Sequence, residues 1–170
     1  MRNIVLTSLF AATLVFAANS SEKFDEGMKY LLGIQVKQDK QKALHYLSEA
    51  AQEGSSEAEY NLALMYYMGD GVDQNITKSL EYLDSSAKKG YAKAVENVGR
   101  IYMQAYKFDK AIPWLKLNAK HGDIKANYLL AEIYIEKGEF KKAKVYAKKA
   151  IDAGDIDAKL LWQKYQLSNY

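Results

Sequence analysis

The chain has no cysteine among its 170 residues. That removes disulfides, a thiol nucleophile, a thiolate metal site and lipid attachment through a processed N-terminal cysteine. It has a single proline and 49% hydrophobic residues, a composition that does not favour long disordered tracts. An excess of one charge is missing as well. The 24 basic residues against 21 acidic ones leave +3, or +2 without Arg2. A balance this even argues against nucleic acid or an anionic membrane as partner. The lysines from Lys137 to Lys149 share a helical segment with alanines and Tyr146, and read as a solvated helix face. Histidine is reduced to His45 and His121, and neither has cysteine, histidine or an acidic cluster at ligand spacing. No metal site and no cofactor are expected.

Long hydrophobic runs are also absent, and the longest is informative. Met1-Arg2-Asn3 precedes an apolar stretch from Ile4 to Phe16 that only Thr7, Ser8 and Thr13 interrupt. The stretch is too short to span a bilayer and is followed by Ala17 and Ala18, the layout of a signal peptide. Cleavage is expected after Ala17, leaving 18–170 as the mature chain, periplasmic or secreted, with no stable membrane insertion. An uncleaved anchor is the alternative.

What the sequence does have is a period. Gly54, Gly90, Gly122 and Gly154 are spaced by 36, 32 and 32 residues. Four residues after each stands Ala58, Ala94, Ala126 or Ala158, and eight further on Tyr66, Tyr102, Tyr134 or, last, Gln166. Before each glycine stand a small residue (Ala43, Ser79, Ala111, Ala143) and then an aromatic (Tyr46, Tyr82, Trp114, Tyr146). Periods of this size signal stacked helical hairpins. Ala58, Leu62 and Tyr66 fall on one stripe of a first helix. Gly27, Ala63, Gly99 and Ala131 form a small-residue column that lets the second helix approach closely. The expected repeats cover 22–54, 55–90, 91–122 and 123–154, with a capping helix at 155–167. The turns inside repeats one and two are four residues longer than the others. Asp39 and Asn75 are placed to cap the helices that follow them. Pro113 falls within about the first turn after Asp109, where a missing N–H does little harm.

Residues Ala58-Glu59-Tyr60-Asn61-Leu62-Ala63-Leu64-Met65-Tyr66, then Gly69-Asp70-Gly71-Val72, Lys78-Ser79-Leu80-Glu81-Tyr82-Leu83, Ala87 and Gly90, resemble the Sel-one-like repeat of the tetratricopeptide-like superfamily. Repeat one carries Gln35 where a second turn glycine is usual. Repeats three and four, without the Gly-x-Gly-Val turn, resemble ordinary short tetratricopeptide repeats. The resemblance covers about residues 22–166. It implies an all-α, right-handed α-solenoid whose first helices line a concave face. Tyr60, Leu64 and Tyr67 of repeat two, Glu96 and Arg100 of repeat three, and Tyr128 and Glu132 of repeat four would then line a protein-binding groove. Arg100, one repeat along from Leu64, is expected to supply that groove with a cationic edge.

Three functions fit such a chain. The first is an exported scaffold that binds another protein or peptide. The second is a β-lactam-binding or hydrolysing protein, because some exported Sel-one-like proteins carry such names. Ser85-Ser86-Ala87-Lys88 and Ser86-Ala87-Lys88-Lys89 match Ser-x-x-Lys, but the Ser-Asp-Asn and Lys-Thr-Gly elements are missing. Ser86 also sits in a small core column with Ala50, Asn118 and Ala150. The third is an immunity or chaperone-like protein with one cognate partner. No catalytic residue is assigned. Asp70, Asp73 and Asn75 do not make a calcium loop, since Asn75 stands at the sixth position and Glu81, the twelfth, lies in a helix.

Overall fold

The computed structural model describes residues 19–170, so the apolar stretch and the cut after Ala17 lie outside the described residues. Among the described residues there are nine α-helices and no strand. Helix α1 covers 19–32. It is followed by α2 (Lys40–Gln52), α3 (Ser56–Met68), α4 (Ile76–Lys88) and α5 (Ala92–Gln104). Then come α6 (Phe108–Lys120), α7 (Ile124–Glu136), α8 (Phe140–Asp152), α9 (Ile156–Lys164) and a 3₁₀ turn, Leu167–Asn169. The chain divides into two compact units, one ending at Ala94 and one starting at Val95, within the first turn of α5.

The period has a backbone cause. Gly54, Gly90, Gly122 and Gly154 hold φ of 100, 87, 94 and 93°, the left-handed conformation that ends a helix and that glycine adopts without penalty. Within each hairpin the small-residue column sets how close the helices come. A Cβ on Gly27 would stand 2.8 Å from Leu47 Cγ, and one on Gly99 3.0 Å from Leu115 Cγ. Ala63 and Ala131 are buried in the same column.

Each first helix also carries a tyrosine that meets its second helix. Tyr30 stacks on Tyr46 at 5.7 Å, Tyr66 on Tyr82 at 5.9 Å and Tyr134 on Tyr146 at 5.4 Å. Tyr102 and Tyr134 are 4% and 5% exposed, as core positions should be. A lysine from the start of each second helix lies over the same ring. Lys42 covers Tyr30 at 5.0 Å, Lys78 Tyr66 at 5.1 Å, Lys110 Tyr102 at 5.7 Å and Lys142 Tyr134 at 5.3 Å. These cation–π contacts recur in every repeat.

The longer turns are built alike. Asp39 and Asn75 accept from the first backbone N–H groups of α2 and α4. Gln38 donates to the Leu31 carbonyl at 2.8 Å and Gln74 to the Tyr67 carbonyl at 2.7 Å. The second turn is also clamped by α2, through Lys40 to Asp70 and Gln41 to the Gly71 carbonyl. Gln35 tolerates φ of 61° in the first turn. Gly71 cannot be replaced so simply, because a Cβ there would meet Lys40 Cβ at 2.5 Å.

Helix α6 begins at Phe108, which makes Pro113 its sixth residue rather than part of a free first turn. Its ring nitrogen withholds the donation that the Asp109 carbonyl would otherwise receive. The proline is exposed, so water can reach that turn. At the other end, Leu167 is fully buried and Tyr170 stacks on Phe140 at 4.7 Å, so the tail folds back over α8.

Candidate binding face on the first helices

In the first unit, Tyr60, Leu64 and Tyr67 occupy one partly exposed face of α3. Their face is offset from Ala58 and Leu62, which are fully buried. Tyr60 is not a bare anchor. Its ring lies 5.4 Å from that of Tyr91, just after the closing glycine of repeat two. Met68, one residue beyond Tyr67, is 63% exposed at the end of the same helix.

In the second unit the other predicted residues fall on α5 and α7. Glu96 is exposed on α5, although its backbone carbonyl accepts from Asn118 at 3.0 Å. Arg100 does not provide the free cationic edge expected of it. Its Nη2 donates to Asp123 Oδ2 at 2.8 Å, while Asp123 Oδ1 caps α7 by accepting from the Lys125 and Ala126 amides. The guanidinium therefore braces a helix start. On α7, Tyr128 donates to Glu132 at 2.6 Å. Burial, and then this bond to a carboxylate, push the phenol well above its ordinary value. Lys125 lies 4.1 Å from the centre of the Tyr128 ring and pairs with Asp157 at 2.5 Å, which raises the lysine's own pKa.

Two open clefts flank α7. One, of about 590 Å³, lies between α5 and α7 over Met103 and Leu129, with Phe108 and Tyr106 at its side. The other, of about 550 Å³, lies between α7 and α9. Glu132 and Glu136 line both. Tyr106, Phe108 and Leu129 were missed by the repeat columns because they occupy turn or intervening positions. The available signal was a tyrosine where the next repeat has Gly138.

The Ser-x-x-Lys matches have structural occupations. Ser86 is fully buried and its hydroxyl donates to the Ser56 carbonyl at 2.6 Å. The Ser85 hydroxyl donates to Glu59 at 2.7 Å. Lys88 pairs with Asp84 at 2.6 Å and Lys89 with Glu59 at 2.9 Å. His45 is exposed, 3.7 Å from Glu49, and His121 closes α6. Among the described residues no group of three or more histidine, cysteine or acidic side chains is arranged to hold a metal. No helix among them is long and apolar enough to cross a membrane.

The Sel1 repeat family model matches residues 27–55, 56–91 and 124–155. The last match covers repeat four, which lacks the long turn and had resembled an ordinary tetratricopeptide repeat. Repeat three lies outside the three matches. A Sel1 repeat protein from Oxalobacter formigenes is similar at 21% identity with a TM-score of 0.59. The similarity covers 84% of this chain and 61% of that one. A protective antigen present in uropathogenic Escherichia coli strains, displaying an SLR fold, is similar at 26% identity with a TM-score of 0.61. It covers 81% of this chain and 32% of that one. The chain thus spans less than two thirds of the length of either relative. No curated protein matches it.

Proposed function

We propose, since the chain belongs to the Sel1 repeat family, that it is an exported scaffold that binds another protein through the faces of its first helices. Repeats of this family commonly serve protein–protein interaction and are typically non-catalytic. The observation that carries the reading is the pair of clefts on either side of α7, lined by α5, α7 and α9. In each complete hairpin of the second unit, the small-residue and tyrosine columns of the first helix already face the second helix. Part of the remaining surface lines the two open clefts, where a partner can reach it. Tyrosine, methionine and arginine, which interfaces favour, line them. The occupied hydroxyls of Ser85 and Ser86 give no support to β-lactam chemistry.

Export rests on Ile4–Phe16 and the small residues after it. N-terminal sequencing of protein from the cell envelope should begin at Ala18 or within a few residues of it. Intact Met1 on cytosolic protein would remove export from the proposal.

Binding is tested by photo-crosslinking in the source cell. A photoreactive phenylalanine analogue placed at Tyr67 or Tyr128, on first helices, should capture a partner. The same group at Lys116 or Val145, on second helices, should capture little. Capture only from the second helices, or none at all, would overturn the scaffold reading.

A further inference from the structure

We infer that the cleft between α5 and α7 takes a short partner segment presenting an apolar side chain close to a lysine or arginine. The inference rests on the scaffold reading above and specifies its partner's chemistry. Four charged side chains line this cleft: Arg100, Lys125, Glu132 and Glu136. The two cations are already committed. Arg100 is held by Asp123 at 2.8 Å, and Lys125 by Asp157 at 2.5 Å with Asp155 at 3.7 Å. The two glutamates stand one turn apart on α7. Among the described residues neither has an ion-pair partner within 4.0 Å. Glu132 accepts only the neutral Tyr128 hydroxyl, and Glu136 is exposed. The unmatched charge in the cleft is therefore negative, and a cation complements it.

The apolar half of the recognition comes from Met103 and Leu129, with Tyr106 beside them. Tyr106 is an unusual choice. It sits at φ of 55°, the left-handed region, where the equivalent position of the next repeat holds Gly138 at 70°. A bulky residue there is strained, and glycine would relieve it. The residue is 80% exposed, and its ring meets that of Phe108 edge to face with centroids 5.9 Å apart. The fold gains little from it. An outward aromatic at the side of an apolar cleft is instead the kind of group that anchors an interface.

The test uses two panels of short blocked peptides and amide shifts in NMR spectra of the mature protein. In one panel leucine, isoleucine or phenylalanine lies within a few residues of lysine or arginine. In the other, glutamate replaces the basic residue. Members of the basic panel should shift the amides of α5 and α7, and the acidic panel should not. A Glu132→Gln, Glu136→Gln double variant preserves the Tyr128 acceptor and should weaken binding at least about tenfold. Tyr106→Gly should weaken it comparably while leaving the melting temperature equal or higher, a combination that a purely structural tyrosine would not give. Equal binding of the acidic panel, or full affinity in the glutamine variant, overturns the charge assignment and leaves the scaffold reading standing. If no peptide binds while crosslinks at Tyr67 or Tyr128 still capture a partner, the cleft assignment alone falls. If crosslinking fails as well, the scaffold reading falls with it.

Discussion

Two glycines in helix interiors show how closely a single methyl group can be weighed. Alanine is the better helix former by about 1 kcal/mol, so Gly→Ala in a helix should stabilise when space allows. At Gly27 it does not. The new carbon would stand 2.8 Å from Leu47 Cγ, and Leu47 is fully buried and cannot swing away. Overpacking of this kind typically costs about 1–3 kcal/mol, so Gly27→Ala should destabilise by about 1 kcal/mol or more in chemical denaturation. At Gly99 the same carbon would meet Leu115, equally buried, at 3.0 Å, a milder overlap that a shift of a few tenths of an ångström relieves and that the propensity gain nearly offsets. Gly99→Ala should therefore lie close to wild type, and a larger loss than at Gly27 would contradict this ordering. Both residues were legible as a small column because helix spacing and repeat period are backbone properties. The lysine over each tyrosine was equally periodic in the sequence. It was missed because a lysine before a helix face reads by default as solvated.

At the scale of the helix, the caps separate what is local from what is not. Asp39 and Asn75 could be assigned from sequence because a cap bonds to N–H groups two or three residues ahead. The bond from Arg100 to Asp123 spans 23 positions and depends on how neighbouring helices approach. No spacing rule shows it, so the sequence places Arg100 on the cleft it does line but not in the ion pair that occupies it. Asp123 therefore does two jobs where Asn75 does one. Asn75→Ala should cost about 1 kcal/mol. Asp123→Ala should cost more, because it also strands a guanidinium whose Nε is already buried without a partner. A double-mutant cycle between Arg100 and Asp123 should return a coupling of about 0.5–1 kcal/mol, modest because both side chains retain some exposure. Additive single effects would show that the bridge contributes nothing beyond the cap. The short turns before α6 and α8 end at Lys107 and Glu139, which make no side-chain cap bond, consistent with the compressed spacing seen in the sequence.

Across the whole molecule, the glycine spacing revealed the number of repeats, but nothing in it marked the division near Ala94. Each hairpin repeats the same columns, so the sequence offers no contrast at that point. Among the described helices the most extensive packing is between chain neighbours, such as α3 with α4 and α7 with α8. Stability in such a protein is carried by local interfaces. Tyr134→Ala removes a buried aromatic and should cost about 3–5 kcal/mol. Hydrogen exchange should show that loss in α7 and α8 while protection in α1–α4 stays near wild type. Uniform acceleration along the chain would mean that the molecule unfolds as one cooperative body. The same division makes the protein its own optical reporter. Trp114 and Trp162 both lie beyond Val95, and the segment up to Ala94 has tyrosines but no indole. Indole emission during heating or denaturation therefore watches the second unit alone, whereas far-ultraviolet dichroism sums the helices of both. Any gap between the two transition curves measures directly how independently the halves melt, without a label or a substitution.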